Sequence, residues 1–445
     1  MENTRLIVKQ SLSLSGTVDV SGAKNAVLVI MASLLLTRGK SVLKNVPASA
    51  DVSHMIKLLE QLGAQVGFEK DAKIMHVDTS FVDKYKVSPE IMNKMRASVL
   101  VMGPLLAHFG QVDLALPGGC IIGARPIDYH LKNFERMGVD VEIKGSFLCA
   151  SVKKLTPQRL VLEYPSVGAT ENLLMAATCT IGTTHIVNAA LEPEVLDLVD
   201  VLKKMGARIT IHPPATIEIE GVCSLHPIEH EIVFDRLEAG TLILATAITG
   251  GQLTLPNANG YLMETFLSKL DEMGHSVSIG KDGNGIVFRA TKSPRAVSFK
   301  TSPYPGFPTD LQAQTMANLC LCQGKSLVQE TVFENRLLHV RELEKMGAQV
   351  SVECNMARVS GVEELYGAEV IATDIRASAA LVIAGLAAKG TTIIKGVHHW
   401  KRGYEKLEDK LTKLGANIWL EEAGEKGVFE PVVNYEKISQ EAESF

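Results

Sequence analysis

The residues best suited to chemistry gather in a few short stretches. Leu116-Pro-Gly-Gly-Cys-Ile-Ile-Gly-Ala-Arg-Pro126 places one thiol, Cys120, five residues before Arg125, in a loop holding three glycines and two prolines. A structural cysteine normally sits on an apolar helix or strand. A thiol on bent backbone close to a guanidinium is in the setting that makes it reactive. A plain surface turn that carries a cysteine is the alternative, because glycine-rich loops are weakly specific. Other polar groups stand where apolar helical stretches begin: Lys24-Asn25, Arg96, Asp310, and Asp374 with Arg376. A helix N-terminus presents unpaired N–H groups and the positive end of a dipole, so a cation there reinforces an anion site. Glu334 and Arg336 lie in the loop Thr331–Arg336, and Arg402 in the loop that starts at Val397. Blander readings stand beside these. Asp310, after Pro308-Thr309, could simply cap a helix. The pairs Asp374 with Arg376 and Glu334 with Arg336 could be surface pairs, and Lys24 could be solvated. Taken together, Lys24, Arg96, Arg125, Arg336, Arg376 and Arg402 line element edges in a chain of net charge −5. That pattern predicts a site for a small, multiply anionic substrate.

A repeat positions these residues. A helix, then Met or Leu, then Gly and a strand recurs six times, at Gly63, Gly138, Gly206, Gly274, Gly347 and Gly415. The spacing of about 70 residues exceeds solenoid periods, so each copy is a small α/β module. Met55, Leu58, Leu59 and Leu62 show the amphipathic helical pattern, and alternation as in Ala348–Glu353 marks the strand that follows. A second helix precedes each phrase: Asn25–Arg38, Met95–Phe109, Thr170–Ile181, Leu237–Thr249, Thr309–Gln323 and Ile375–Lys389. These are apolar around most of their circumference and must be buried. The expectation is an α/β fold turned inside out, with central helices and outward sheets, in two domains of three modules. One domain takes residues 22–233 and the other residues 1–21 with 234–433, with the opening strands completing the last module; 434–445 reads as a polar tail. If the modules are equivalent, their loops face one cleft between the domains, a preferred place for a ligand.

Composition excludes several classes. A net charge of −5 argues against binding nucleic acid or an anionic membrane. No signal layout opens the chain, and the longest apolar runs, such as Ala26 to Leu36, are too short to cross a bilayer. Seven scattered cysteines without paired spacing suit a reducing cytoplasm, with Cys179, Cys320 and Cys322 read as packing residues. His398-His399 has no carboxylate or cysteine at ligand spacing, so no metal is expected.

The chain resembles the UDP-N-acetylglucosamine enolpyruvyl transferases (1-carboxyvinyltransferases) over nearly its whole length. The resemblance is carried by Gly22-Ala-Lys-Asn, the Cys120 loop with Gly-Ala-Arg-Pro126, Phe307-Pro-Thr-Asp-Leu-Gln-Ala-Gln, Glu330-Thr-Val-Phe-Glu-Asn-Arg336, Ala372-Thr-Asp-Ile-Arg-Ala-Ser and Arg402-Gly-Tyr-Glu-Lys-Leu. It implies the inside-out fold and transfer of the enolpyruvyl group of phosphoenolpyruvate to the 3′-hydroxyl of UDP-N-acetylglucosamine. That is the first committed step of peptidoglycan synthesis. It also implies that Cys120 donates a proton to the vinyl carbon, can form a phospholactoyl adduct, and is alkylated by fosfomycin. Asp310 would take the hydroxyl proton. Lys24, Arg125 and Arg402 would hold phosphoenolpyruvate, with Arg96 and Arg376 nearby and Asp374 in support. Asn25 and Val332 would touch the sugar, alongside Glu334 and Arg336. The uridine diphosphate would lie along Arg125, Pro126, Ile127, Asp128 and Tyr129, and Ser166, Val167 and Gly168. Tyr129 departs from the leucine-like residue expected there, and the tail is longer than the family needs. The resemblance implies no cofactor and a monomer. Rivals are the sister enolpyruvylshikimate-phosphate synthases, with another acceptor, and a non-catalytic six-module clamp on nucleic acid, which the charge disfavours.

Overall fold

The computed structural model describes residues 4–92, 96–115 and 127–422. The described residues divide into two compact units, one running from Ser21 to Asp235, the other taking the residues before Ser21 and those from Arg236 onward. Each is built from the same module three times, and the described residues hold six four-stranded sheets.

One module shows the logic. The first buried helix, Lys24–Ser33, leads into strand Lys40–Lys44, the amphipathic helix Ala50–Leu62, and the hairpin Gln65–Glu69 with Ile74–Asp78. The hairpin's return strand pairs antiparallel with Lys40–Lys44, so the sheet is filled from within the module except for one edge. Met55, Leu58, Leu59 and Leu62 are buried, so the amphipathic helix turns its apolar stripe inward. Gly63 ends that helix at φ +108, where a Cβ would meet the Phe81 carbonyl at 2.7 Å. Its five counterparts adopt φ between +91 and +106, which explains why glycine recurs in the phrase.

The edges are closed by chain from elsewhere in the same unit. Strand Glu229–Glu231 runs parallel to Lys40–Lys44 and completes the first sheet. Strand Thr4–Lys9 sits between Thr391–Lys395 and Asn417–Glu422, taking in the sixth sheet the slot that a return strand fills in the others. The second opening strand, Ser15–Thr17, does not join the last module as expected: it pairs with Gln252–Asn259 in the fourth.

The central helices are Lys24–Ser33, Met102–Phe109 and Val167–Thr178 in one unit, and Arg236–Ile248, Gln312–Leu319 and Ile375–Ala387 in the other. Ala26 to Ala32 are all buried, as the all-round apolar pattern requires. Three of the departures from the sequence pattern bear on the site. The second helix opens as a 3-10 turn, Arg96–Val101, because Pro104 has no N–H to donate to Leu100 and the Gly103 N–H is taken by Asn172 Oδ1 at 2.7 Å. The third starts at Val167, earlier than Thr170, because the Ser166 hydroxyl caps it by accepting the Ala169 N–H. The stretch from Val397, expected as a loop, is a short helix, Val397–Gly403. Among the described residues, no helix is long and apolar enough to cross a membrane.

Candidate functional site

In the unit that holds Arg236–Ile248, charged side chains converge where two central helices begin. Asp310 lies in the 3-10 turn Thr309–Leu311 that opens the fifth central helix. Its Oδ1 accepts from Arg336 Nη2 at 2.6 Å and its Oδ2 from Arg376 Nη2 at 2.8 Å. Asp310 stands inside the turn, after the cap position Pro308, and each of its carboxylate oxygens is engaged by an arginine. The Asp310 side chain is 25% exposed, against 2% for Arg336 and 7% for Arg376. Buried guanidiniums are costly unless paired, so the carboxylate is what makes both arginines affordable, and they fix its orientation in turn.

Asp374 and Arg376 are buried, which rules out a surface pair. Asp374 is the N-cap of Ile375–Ala387: its Oδ1 accepts the N–H groups of Arg376 and Ala377 at 2.8 and 3.1 Å. It thereby aims the first turn from which Arg376 reaches Asp310. Glu334 is exposed and Arg336 pairs with Asp310, so the alternative of a Glu334–Arg336 surface pair gives way to a buried pairing. Arg402, half-buried, sits in the last turn of Val397–Gly403.

Glu330 opens a motif of the resemblance but was assigned no role, yet it organises the loop beside Asp310. Buried, it accepts from the Thr301 hydroxyl and the Val332 and Phe333 N–H groups on Oε1, and from the Thr309 hydroxyl on Oε2. One carboxylate thus ties the Val332 turn to the residue preceding Asp310. His339 was likewise assigned no role. Its Nδ1 lies 3.2 Å from the Arg336 carbonyl, and since a carbonyl only accepts, this nitrogen carries the proton. Burial pushes its pKa down to about 4, with Asp374 pulling the other way.

In the unit from Ser21 to Asp235, Lys24 is buried and its Nζ lies 3.2 Å from Asp51 Oδ2, so it is not a solvated lysine. Asp51, in the first turn of Ala50–Leu62, was not anticipated, since an acidic residue there reads as ordinary helix chemistry. Asp235 Oδ2 accepts the Lys24 N–H at 3.3 Å, and Asn25 beside it is exposed. Ile127 precedes, and Asp128 and Tyr129 open, the helix Asp128–Arg136. His130 of that helix packs over Gly168, where a Cβ would stand 3.4 Å from the ring. Ser166, Val167 and Gly168 are half-buried at the start of their helix, and the His130–Gly168 contact sets that helix start beside the helix that Asp128 and Tyr129 open. Asn172 joins them, with Nδ2 at 3.1 Å from His130 Nδ1. Arg96 opens its 3-10 turn. Cys120, Arg125 and Pro126 lie outside the described residues, as does the tail 434–445. Cys320 and Cys322 are buried, and burial pushes both thiols up to about 12, which fits packing residues. Cys179 is half-buried. Among the described residues, no group of three or more His, Cys, Asp or Glu is placed to hold a metal ion.

Comparison with known proteins decides what this architecture is. The model of the EPSP synthase (3-phosphoshikimate 1-carboxyvinyltransferase) family matches residues 8–411. The chain is 47% identical over 416 residues to UDP-N-acetylglucosamine 1-carboxyvinyltransferase 1 of Caldanaerobacter subterraneus subsp. tengcongensis, covering 94% of this chain and 99% of that one. The chain belongs to the enolpyruvyl transferase family. The UDP-N-acetylglucosamine 1-carboxyvinyltransferase of Desulfosudis oleivorans is also 47% identical, over 93% of this chain and 98% of its own. Among solved structures, the enolpyruvyl transferase NikO from Streptomyces tendae superposes with a TM-score of 0.87 at 25% identity, covering 95% of this chain and all of that one. EPSP synthase from Acinetobacter baumannii, at a TM-score of 0.74 and 14% identity over 94% of this chain, shares the fold. The six-module α/β architecture is therefore the enolpyruvyl transferase fold, and the chain is a transferase.

One pH effect follows for this enolpyruvyl transferase from His130. Burial lowers its pKa from 6.5 to about 4, against a smaller opposing pull from Asp128. The unfolded imidazole binds a proton near pH 6.5 and the folded one does not, so this contribution is complete above pH 6.5 and is lost as pH falls toward 4. Buried Glu171, raised by burial and by Glu194, acts with the opposite sign, so the effect is read from a variant. His130→Gln should reduce the fall in stability between pH 6.5 and 5 by about 1 kcal/mol per pH unit. Urea midpoints across that range check it; an unchanged slope would show that His130 takes up a proton in the folded state.

Proposed function

We propose that this chain transfers the enolpyruvyl group of phosphoenolpyruvate to the 3′-hydroxyl of UDP-N-acetylglucosamine and releases phosphate. The observation that carries the reading is Asp310, a partly exposed carboxylate gripped by Arg336 and Arg376, in a chain 47% identical to enzymes named for that sugar nucleotide. The shikimate acceptor named by the family model is the second reading. The 14% identity to the A. baumannii EPSP synthase makes it the weaker one.

The chemistry divides among the residues as follows. The Cys120 thiol gives its proton to C3 of phosphoenolpyruvate, which builds positive character at C2. The sugar hydroxyl oxygen bonds to C2 while Asp310 accepts its proton, leaving a tetrahedral phospholactoyl ketal. The Cys120 thiolate then takes a proton back from C3, the C2–O bond to phosphate breaks, and phosphate departs with the bonding pair and takes up the proton that Asp310 held. Lys24, Arg125 and Arg402 offset the charge of phosphoenolpyruvate and of departing phosphate, with Arg96 and Arg376 adding to the positive field. Asp374 supports Arg376 by capping its helix. Asn25, Val332, Glu334 and Arg336 meet or orient the amino sugar. Arg125 to Tyr129 and Ser166 to Gly168 take the uridine diphosphate, Tyr129 offering a ring where an aliphatic contact is usual. No cofactor enters any step. On this reading the chain acts as a cytoplasmic monomer at the entry to peptidoglycan synthesis and is a target of fosfomycin.

The product tests the reading. Incubated with both substrates, the sugar nucleotide should gain one enolpyruvyl group for each phosphate released, seen by mass spectrometry. Phosphate release with the sugar nucleotide unaltered would contradict it.

A further inference from the structure

We infer that Tyr404 is a positioning residue for the reaction, its phenol holding Arg376 in register on Asp310; this rests on the reading of Asp310 as proton acceptor. Tyr404 is buried and follows directly on Val397–Gly403, the helix that carries Arg402. Its hydroxyl oxygen lies 3.2 Å from Arg376 Nη1, 3.1 Å from Thr241 Oγ1 and 3.4 Å from Gln314 Nε2. Counting protons assigns each contact. The single hydroxyl hydrogen of Thr241 goes to the Leu237 carbonyl at 2.7 Å, so the phenol must donate to Thr241. Arg376 and Gln314, which can only donate from these nitrogens, then both donate into the phenol oxygen. One hydroxyl is thereby used as donor and acceptor at once, among three central helices of one unit.

The consequence falls on Asp310 twice over. Arg376 places Nη2 on Asp310 Oδ2 and Nη1 on Tyr404, so its planar fork is fixed at both prongs. Gln314 Nε2 also donates to the Asp310 backbone carbonyl at 2.9 Å, so the same network steadies the turn that carries the carboxylate. The ring packs on Trp400, at 5.1 Å between centroids, and Trp400 Nε1 donates to Glu408 at 2.7 Å. Packing needs only the ring. The hydroxyl is what aims Arg376, and a misaimed Arg376 leaves Asp310 poorly placed for the sugar hydroxyl.

Tyr404→Phe keeps the ring and removes the oxygen. It should fold with an unchanged melting temperature to within a few degrees, lower kcat about tenfold, and change KM for UDP-N-acetylglucosamine less than about threefold. Because the effect passes through Arg376, the same substitution made on Arg376→Lys should cost much less than it does alone. An unchanged kcat, a change confined to KM, or a full additional loss on the Arg376→Lys background would each overturn the inference. The unsubstituted chain assayed alongside separates the failures. If it releases no phosphate with UDP-N-acetylglucosamine, the reading of Asp310 falls and this inference with it. If it does and Tyr404→Phe matches it, the inference falls alone.

Discussion

Asp310→Asn should lower kcat by about a thousandfold, in the range of a lost general base. An amide has no basic oxygen for the sugar proton, and its NH₂ would face a guanidinium in place of an acceptor. Asp310 is also the counter-charge of Arg336 and Arg376, both buried, so the variant should lose stability as well, by about 3 kcal/mol. The two effects are separable. kcat measured on protein shown to be folded isolates the chemistry, and a thermal melt reads the uncompensated arginines. Asp310→Glu, which keeps the charge but moves the oxygens, should recover most of the stability and little of the rate. If Asp310→Asn retained more than a tenth of the rate, another group would be taking the proton.

Cys120→Ser should lower kcat at least a hundredfold, because a serine hydroxyl is far too weak an acid to protonate C3. Cys120→Asp supplies a carboxylic acid at the same place and should keep part of the activity. It should also resist fosfomycin, since alkylation needs the sulfur nucleophile and a carboxylate is a poor substitute. The thiol must hold its proton at working pH to act as an acid, so Arg125 must not pull it far down. Steady-state rates with and without fosfomycin check both substitutions. Full sensitivity of Cys120→Asp would remove Cys120 from its role.

What the sequence disclosed and what it hid follow from physics. The repeat was legible because Gly63, Gly138, Gly206, Gly274, Gly347 and Gly415 share one backbone requirement, a positive φ that other residues resist. The burial of the central helices was legible because Ala26 to Ala32 offer no polar face to solvent. Boundaries were less so. Ser166 is an ordinary serine until its hydroxyl is seen to accept from Ala169, and Pro104 marks a missing hydrogen bond without saying which turn adapts. Arg336, Arg376 and Asp310 were each suspected singly, but their convergence joins residues up to 66 apart in sequence, and no local pattern encodes that. Glu330, Asp51, His339 and Tyr404 were assigned no role for a related reason. Their roles lie in satisfying buried donors and acceptors from other elements, and a sequence lists groups without listing partners.

The most direct measurement is phosphate release from phosphoenolpyruvate with UDP-N-acetylglucosamine as acceptor, beside a parallel reaction with shikimate 3-phosphate. Release with the sugar nucleotide alone, abolished by fosfomycin, is the predicted result. Release only with shikimate 3-phosphate would leave the fold and family standing and contradict the proposed acceptor.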